Sequence, residues 1–166
     1  MSEARKLAAA IQLVVFDVDG VFTDGRLFLD SNGIETHKIF HVRDGYGVKR
    51  LLAAGIEVAI ISGRDSAAVA ARMAALGVRH VFQGRDDKLP VLEALLEKLG
   101  VAPEQTAFVG DDEPDIPPMK AVALAITVAD GHPAVRAASH WVAQSGGGRG
   151  AVREVAEFLL ASRSCD

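Results

Sequence analysis

The stretch LVVFDVDGVFTDG, residues 13–25, runs an apolar segment directly into Asp17 and Asp19. Leu13–Phe16 reads as a buried strand, and residues two apart on an extended chain project to the same side. Asp17 and Asp19 are therefore placed to face one site at the carboxyl end of that strand.

Working outward, short apolar runs alternate with segments of helical period, the pattern of a parallel α/β sheet. Strands are predicted at Leu13–Phe16, Glu57–Ile61, His80–Phe82, Thr106–Val109, Leu124–Ile126 and Trp141–Val142. Helices are predicted between them, over 46–54, 65–76, 88–99, 115–121, 133–138 and 150–161. KLPVLEALLEKLG (88–100) is the clearest, with leucines at 89, 92, 95, 96 and 99 on one face and Gly100 at its end. GRLFLDSNGIETHKIF (25–40) breaks the rhythm and reads as a β-hairpin turning at Ser31–Gly33. The expectation is a Rossmann-like α/β fold: a parallel sheet with helices on both faces, a small inserted hairpin and no cap domain.

The 166 residues, 49% hydrophobic and 24% charged, suit one domain spanning 1–166 with a substantial core. A net charge of −4 gives no electrostatic reason to approach nucleic acid or an anionic membrane. No apolar run reaches the roughly 18 residues of a membrane span. Arg5 and Lys6 ahead of an apolar run imitate a secretory leader, but cleavage there would remove the strand that carries the aspartates. The single cysteine, Cys165, permits neither an intramolecular disulfide nor a thiolate cage, and a cytoplasmic location is expected.

In a parallel α/β sheet, ligands bind beyond the carboxyl ends of the strands. Polar groups of complementary kinds follow four of the predicted strands: Asp17 and Asp19; Ser62, Gly63 and Arg64; Gly84 to Lys88; and Gly110, Asp111 and Asp112. Carboxylates held close repel one another unless a cation or a shared proton intervenes. An all-oxygen set drawn from Asp17, Asp19 and Asp111 suits Mg²⁺. The Lys88 ammonium and the Ser62 hydroxyl can then hold the outer oxygens of a phosphoryl group. Each motif alone has an ordinary reading, such as a solvated turn or a helix cap. Their joint occurrence at successive strand ends points to phosphoryl transfer.

DVDG, ISGR, Asp87-Lys88 and GDDEPD resemble the four motifs of the haloacid dehalogenase superfamily of aspartate-nucleophile phosphatases. DVDGVFTDG, HVRDGYGVKRL, SGRDS, LGVRHVFQG and GGGRGAVREV extend the resemblance to its capless branch over about residues 11–160. The resemblance implies Asp17 as the nucleophile that forms an aspartyl-phosphate, and Asp19 as the acid and then the base. Ser62 and Lys88 would stabilise the transferring group. Asp17, the Asp19 carbonyl and Asp111 would bind Mg²⁺, with Asp112 and Asp115 supporting them.

The implied substrate is an acidic sugar phosphate, 3-deoxy-D-manno-octulosonate 8-phosphate, used in making an outer-envelope sugar. The substrate-contacting set would include His41, Val42, Arg43, Asp44, Gly45, Lys49, Gly63, Arg64 and Arg72, besides Asp19 and Lys88. Lys49 stands where close relatives are expected to carry arginine. Relatives resembling this chain form homotetramers in which hairpins assemble together. A neighbour's C-terminal segment, here QSGGGRGAVREV with Arg149, would help close the pocket.

Competing readings are a nonulosonate 9-phosphate phosphatase with the same machinery and an inactive oligomerising module. A phosphoacceptor receiver fits worse, because its acceptor aspartate would follow the third strand and its lysine would come last. His37 and His41 share a four-residue spacing, but no third zinc ligand accompanies them.

Overall fold

The computed structural model describes residues 2–163; Cys165 lies outside the described residues. Six parallel strands form the sheet: β1 (Leu13–Phe16), β4 (Glu57–Ile61), β5 (His80–Phe82), β6 (Thr106–Gly110), β7 (Leu124–Thr127) and β8 (Trp141–Val142). Their spatial order is β5-β4-β1-β6-β7-β8. The chain builds outward from β1 through β4 and β5, then returns to the other side for β6, β7 and β8. Connections reverse between β1 and β6, and a crevice opens at such a reversal.

β1 is central and fully buried. Leu13 and Val15 pack into one hydrophobic layer, while Val14 and Phe16 pack into the other, as strand alternation requires. One layer lies against α1 (Glu3–Ala9), α2 (Val42–Ala53), α3 (Ala67–Leu76) and α7 (Ala151–Arg163). The opposite layer lies against α4 (Lys88–Leu99), α5 (Ile116–Lys120) and α6 (Pro133–Ala138). The Asp17 N–H donates to the Val109 carbonyl at 2.9 Å, so the ladder runs one residue past β1 and fixes the backbone of Asp17. The inserted hairpin is β2 (Phe28–Leu29) and β3 (Glu35–His37), paired antiparallel.

Two helices differ from expectation. α1 lies within the leader-like segment and buries Ala4 and Ala8, one turn apart, against the layer that includes α7. α2 begins at Val42 rather than 46 because the His41 ring accepts the Arg43 N–H at 3.1 Å and caps it. Gly45 and Gly47 sit inside this helix. A Cβ at Gly45 would stand 2.3 Å from an Arg72 guanidinium nitrogen, and one at Gly47 would stand 2.9 Å from the Arg153 Cα. These glycines permit close packing and do not end the helix.

Candidate active site

The cleft at the strand ends has a volume of about 530 Å³ and is lined by Asp17, Asp19, Gly63, Arg64, Lys88 and Asp111, with Asp112 and Asp115 at its wall. Lys88, the first residue of α4, is only 5% exposed. Its ammonium lies 2.8 Å from Asp17 and 2.6 Å from Asp115. Burial opposes the ammonium, but the two carboxylates outweigh it and raise the Lys88 pKa above the usual lysine value.

Asp115 is an organising group. One oxygen receives Lys88, and the other accepts the N–H groups of Asp111 at 3.0 Å and Asp112 at 3.3 Å. Asp112 accepts the Glu113 N–H at 2.8 Å, and Asp112 and Asp115 together form a reciprocal cap on the short turn Glu113–Asp115. This turn follows β6 directly and orients Asp111 toward Asp17.

Oxygens of Asp17, Asp111 and Asp115 lie within 4.8 Å of one another. Burial, then the Asp115 charge, pushes Asp17 up to about 6 despite the pull of Lys88. Burial, then the Asp17 and Asp115 charges, pushes Asp111 up to about 8. The Asp111 Oδ1 is buried without a hydrogen-bond partner. Because Asp115 is already engaged at both oxygens, Asp17 and Asp111 are the carboxylates with capacity for a cation. Hard oxygen donors relieved by positive charge fit a divalent cation such as Mg²⁺. Gly20, at φ +87°, completes this arrangement: a Cβ there would stand 1.9 Å from the Asp111 Oδ2. Only glycine lets the turn after β1 close over that carboxylate.

Sequence reasoning missed the role of the hairpin. Lys38 projects its ammonium to 2.5 Å from the Asp19 Oδ1 and 2.7 Å from Glu35, and Glu35 also holds Arg64 at 2.7 Å. Burial opposes the Lys38 charge, but Asp19 and Glu35 raise its pKa. Burial likewise opposes the Glu35 carboxylate, while Lys38 and Arg64 hold it below the usual range. Asp19 and Lys38 are far apart in sequence, and no periodicity announces their pairing.

The remaining expected site residues lie away from this cleft. Ser62 is buried at the end of β4 and does not line it. Val42 is 82% exposed on the outer surface, and His41 is engaged as the α2 cap. Asp44 is buried and accepts the Arg153 N–H at 2.9 Å, which ties it to the first turn of α7. Gly45 is covered by Arg72, so these two meet each other instead of the cleft. Lys49 is exposed on α2, and Arg43 and Arg149 line a separate depression with Ser145, Arg153 and Glu154. His37 stacks on Phe28 with ring centroids 4.5 Å apart, so its position follows from packing.

The glycine-rich segment before α7 packs within its own protomer. The Gly148 N–H donates to the Val21 carbonyl at 3.0 Å, and a Cβ at Gly147 would stand 1.9 Å from the Gly20 carbonyl oxygen. The close backbone approach expected there is against the turn that follows β1.

The parallel sheet, inserted hairpin and buried carboxylate–lysine cluster define a capless hydrolase of the haloacid dehalogenase type. The haloacid dehalogenase-like hydrolase model matches residues 42–123. A 3-deoxy-D-manno-octulosonate 8-phosphate phosphatase from Escherichia coli K12 is 49% identical over 92% of this chain and 81% of its own. A solved structure of such a phosphatase from Moraxella catarrhalis, in complex with magnesium ion, phosphate ion and KDO, superposes with TM-score 0.95 at 42% identity. It covers 99% of this chain and 94% of its own. The Yersinia pestis phosphatase structure superposes with TM-score 0.94 at 43% identity, covering 98% and 87%. The chain belongs to the 3-deoxy-D-manno-octulosonate 8-phosphate phosphatase family, and it is a phosphatase.

Proposed function

We propose that residues 1–166 act as one domain that hydrolyses 3-deoxy-D-manno-octulosonate 8-phosphate to the free sugar acid and inorganic phosphate. The observation that best supports this reading is the Lys88 ammonium held between Asp17 and Asp115, beside the unpartnered Asp111 oxygen. Asp17 attacks phosphorus, forming a P–O bond to its carboxylate as the bond to the sugar oxygen breaks. Asp19 gives its proton to that oxygen, then takes one from the water that cleaves the aspartyl-phosphate. Lys88 offsets the negative charge beside Asp17 throughout, and the backbone at Gly63 supports the phosphoryl oxygens.

Mg²⁺ would be held by Asp17, the Asp19 carbonyl and Asp111, and when bound it supplies charge neutralisation for the nucleophile and phosphate. Asp115 and Asp112 keep those ligands oriented. Such a concerted set is required because phosphate-monoester hydrolysis is accelerated by up to ~10²¹-fold in enzymes, whereas one acid–base group contributes roughly 10²–10⁴-fold.

Arg64 at the cleft rim is suited to the sugar carboxylate. Arg43 and Arg149 would act on a neighbouring protomer's site in a homotetramer. Exposed Leu27, Leu29, Ile34 and Ile39 on the hairpin, and Val42 and Tyr46 on α2, favour such burial. No helix among the described residues is long and apolar enough to cross a membrane, and a cytoplasmic enzyme is proposed.

The test is phosphate release from a panel of sugar phosphates, with and without Mg²⁺, including eight-carbon and nine-carbon keto acids. A metal-dependent preference for the eight-carbon acid is expected. Preference for the nine-carbon ester would transfer the assignment, and no activity on any ester would refute the catalytic reading.

A further inference from the structure

We propose that Lys38, delivered by the inserted hairpin, is a positioning residue for the Asp19 carboxylate. This inference rests on the reading of Asp19 as the proton-transfer group. The Asp19 backbone is carried by the turn after β1, but its side chain must still be held at one angle to the scissile bond. Among the described residues, Lys38 provides the hydrogen bond to that carboxylate, at 2.5 Å on Oδ1. A charge-assisted hydrogen bond orients as well as attracts. It engages one oxygen and leaves Oδ2 for proton transfer.

Lys38 itself is held in place. Its side chain is 3% exposed, and Glu35 grips the same ammonium at 2.7 Å. Without that second carboxylate, a flexible lysine near a phosphate site would be drawn toward the incoming anion. Glu35 in turn is anchored by Arg64, from the turn after β4, at 2.7 Å. The chain Asp19–Lys38–Glu35–Arg64 thus joins the turn after β1, the hairpin and the cleft rim. The hairpin has a local task in its own protomer: it braces the group that moves protons. A misplacement of about 1 Å in a reacting constellation can cost about 10²-fold in rate.

A double-mutant cycle separates this role from general support of the fold. Lys38→Met, Asp19→Asn and the double variant are assayed with Mg²⁺ on 3-deoxy-D-manno-octulosonate 8-phosphate, with thermal unfolding followed in parallel. Lys38→Met is expected to lower kcat about 10- to 100-fold with KM within about threefold, and Asp19→Asn to lower kcat at least about 10²-fold. The double variant should match Asp19→Asn alone within about threefold, because Lys38 acts only through that carboxylate. Glu35 keeps Arg64 as a partner in Lys38→Met, so loss of the ammonium does not orphan it. Should Lys38→Met fail to fold, Lys38→Gln enters the same cycle.

The inference is overturned if Lys38 variants keep wild-type kcat while Asp19→Asn is crippled, or if the two losses multiply. Near-normal turnover of Asp19→Asn would instead remove the acid–base reading, and this inference with it.

Discussion

Removing divalent metal should make the stability of this protein fall as pH rises from about 4 to about 8, through Asp17 and Asp111. Unfolded aspartates titrate near 3.9. The folded groups are raised to about 6 and about 8 by burial and by neighbouring carboxylates. A carboxyl raised on folding contributes stability that is fully present below its unfolded pKa. That contribution disappears as pH climbs through the folded value. The window therefore opens near pH 4, is steepest between pH 4 and 6 where both folded groups still hold their protons, slackens once Asp17 ionises and closes above pH 8.

Each pKa unit corresponds to about 1.4 kcal/mol, but the two carboxyls share the same repulsion and their contributions do not simply add, so the loss is on the order of 3–6 kcal/mol. At roughly 2–4 °C per kcal/mol for a domain of this size, Tm should fall by roughly 6–24 °C across the window. Thermal unfolding in chelator at a series of pH values gives the wild-type curve. Asp111→Asn subtracts every other titrating group, and the difference between the two curves carries the effect. Saturating Mg²⁺ should flatten the wild-type slope, because only the ionised pair binds the cation and binding releases protons. Equal pH slopes for wild type and Asp111→Asn in chelator would refute the reasoning.

Asp17→Asn should abolish turnover while leaving fold and oligomer intact; phosphate release and size-exclusion chromatography check both, and near-normal activity would refute the nucleophile assignment. Lys88→Met leaves two buried carboxylates unpaired and should cost about 3–5 kcal/mol, read as a lower denaturation midpoint in metal-free buffer. Gly20→Ala forces a Cβ onto the Asp111 carboxylate and should raise the Mg²⁺ concentration for half-maximal rate by about tenfold or more, measured by metal titration of activity. Arg149→Ala should raise KM with little change in kcat if it meets substrate in a neighbour's site; unchanged steady-state kinetics would assign it to the surface depression alone.

The strands were legible because each is a short apolar run whose burial leaves little freedom in its limits: β1, β4, β5 and β8 have the expected bounds, and β6 and β7 each extend one residue further. The four motifs at strand ends were legible for a related reason. A parallel sheet delivers every strand end to one edge, so linear order was enough to predict that Asp17, Lys88 and Asp111 converge. The start of helix α2 was harder, since the His41 cap and the packing of Arg72 over Gly45 are visible only in the folded chain. Asp44 illustrates the same limit. The resemblance of HVRDG implied substrate contact, whereas the partner the fold gives Asp44 is a backbone N–H near the other end of the chain. Lys38 left no sequence signal at all, because an ion pair between a turn and a hairpin obeys no local period.

Charge balance explains why these features belong together. Asp17, Asp111 and Asp115 place three carboxylates around a single buried ammonium, and burial together with the neighbouring carboxylates raises Asp111. A divalent cation on Asp17 and Asp111 brings the cluster to neutrality, with Lys88 supplying the third positive charge. A phosphate monoester then adds negative charge that this neutral floor cannot offset alone. Lys38, paired with Asp19, and Arg64, in the cleft lining, add positive charge, and both are already engaged with carboxylates of the turn and hairpin. Their positive charge reaches the cleft without either side chain being free to collapse onto the phosphate. On the proposed mechanism, this leaves open the direction from which Asp17 would approach phosphorus and leaves one Asp19 oxygen for the leaving group.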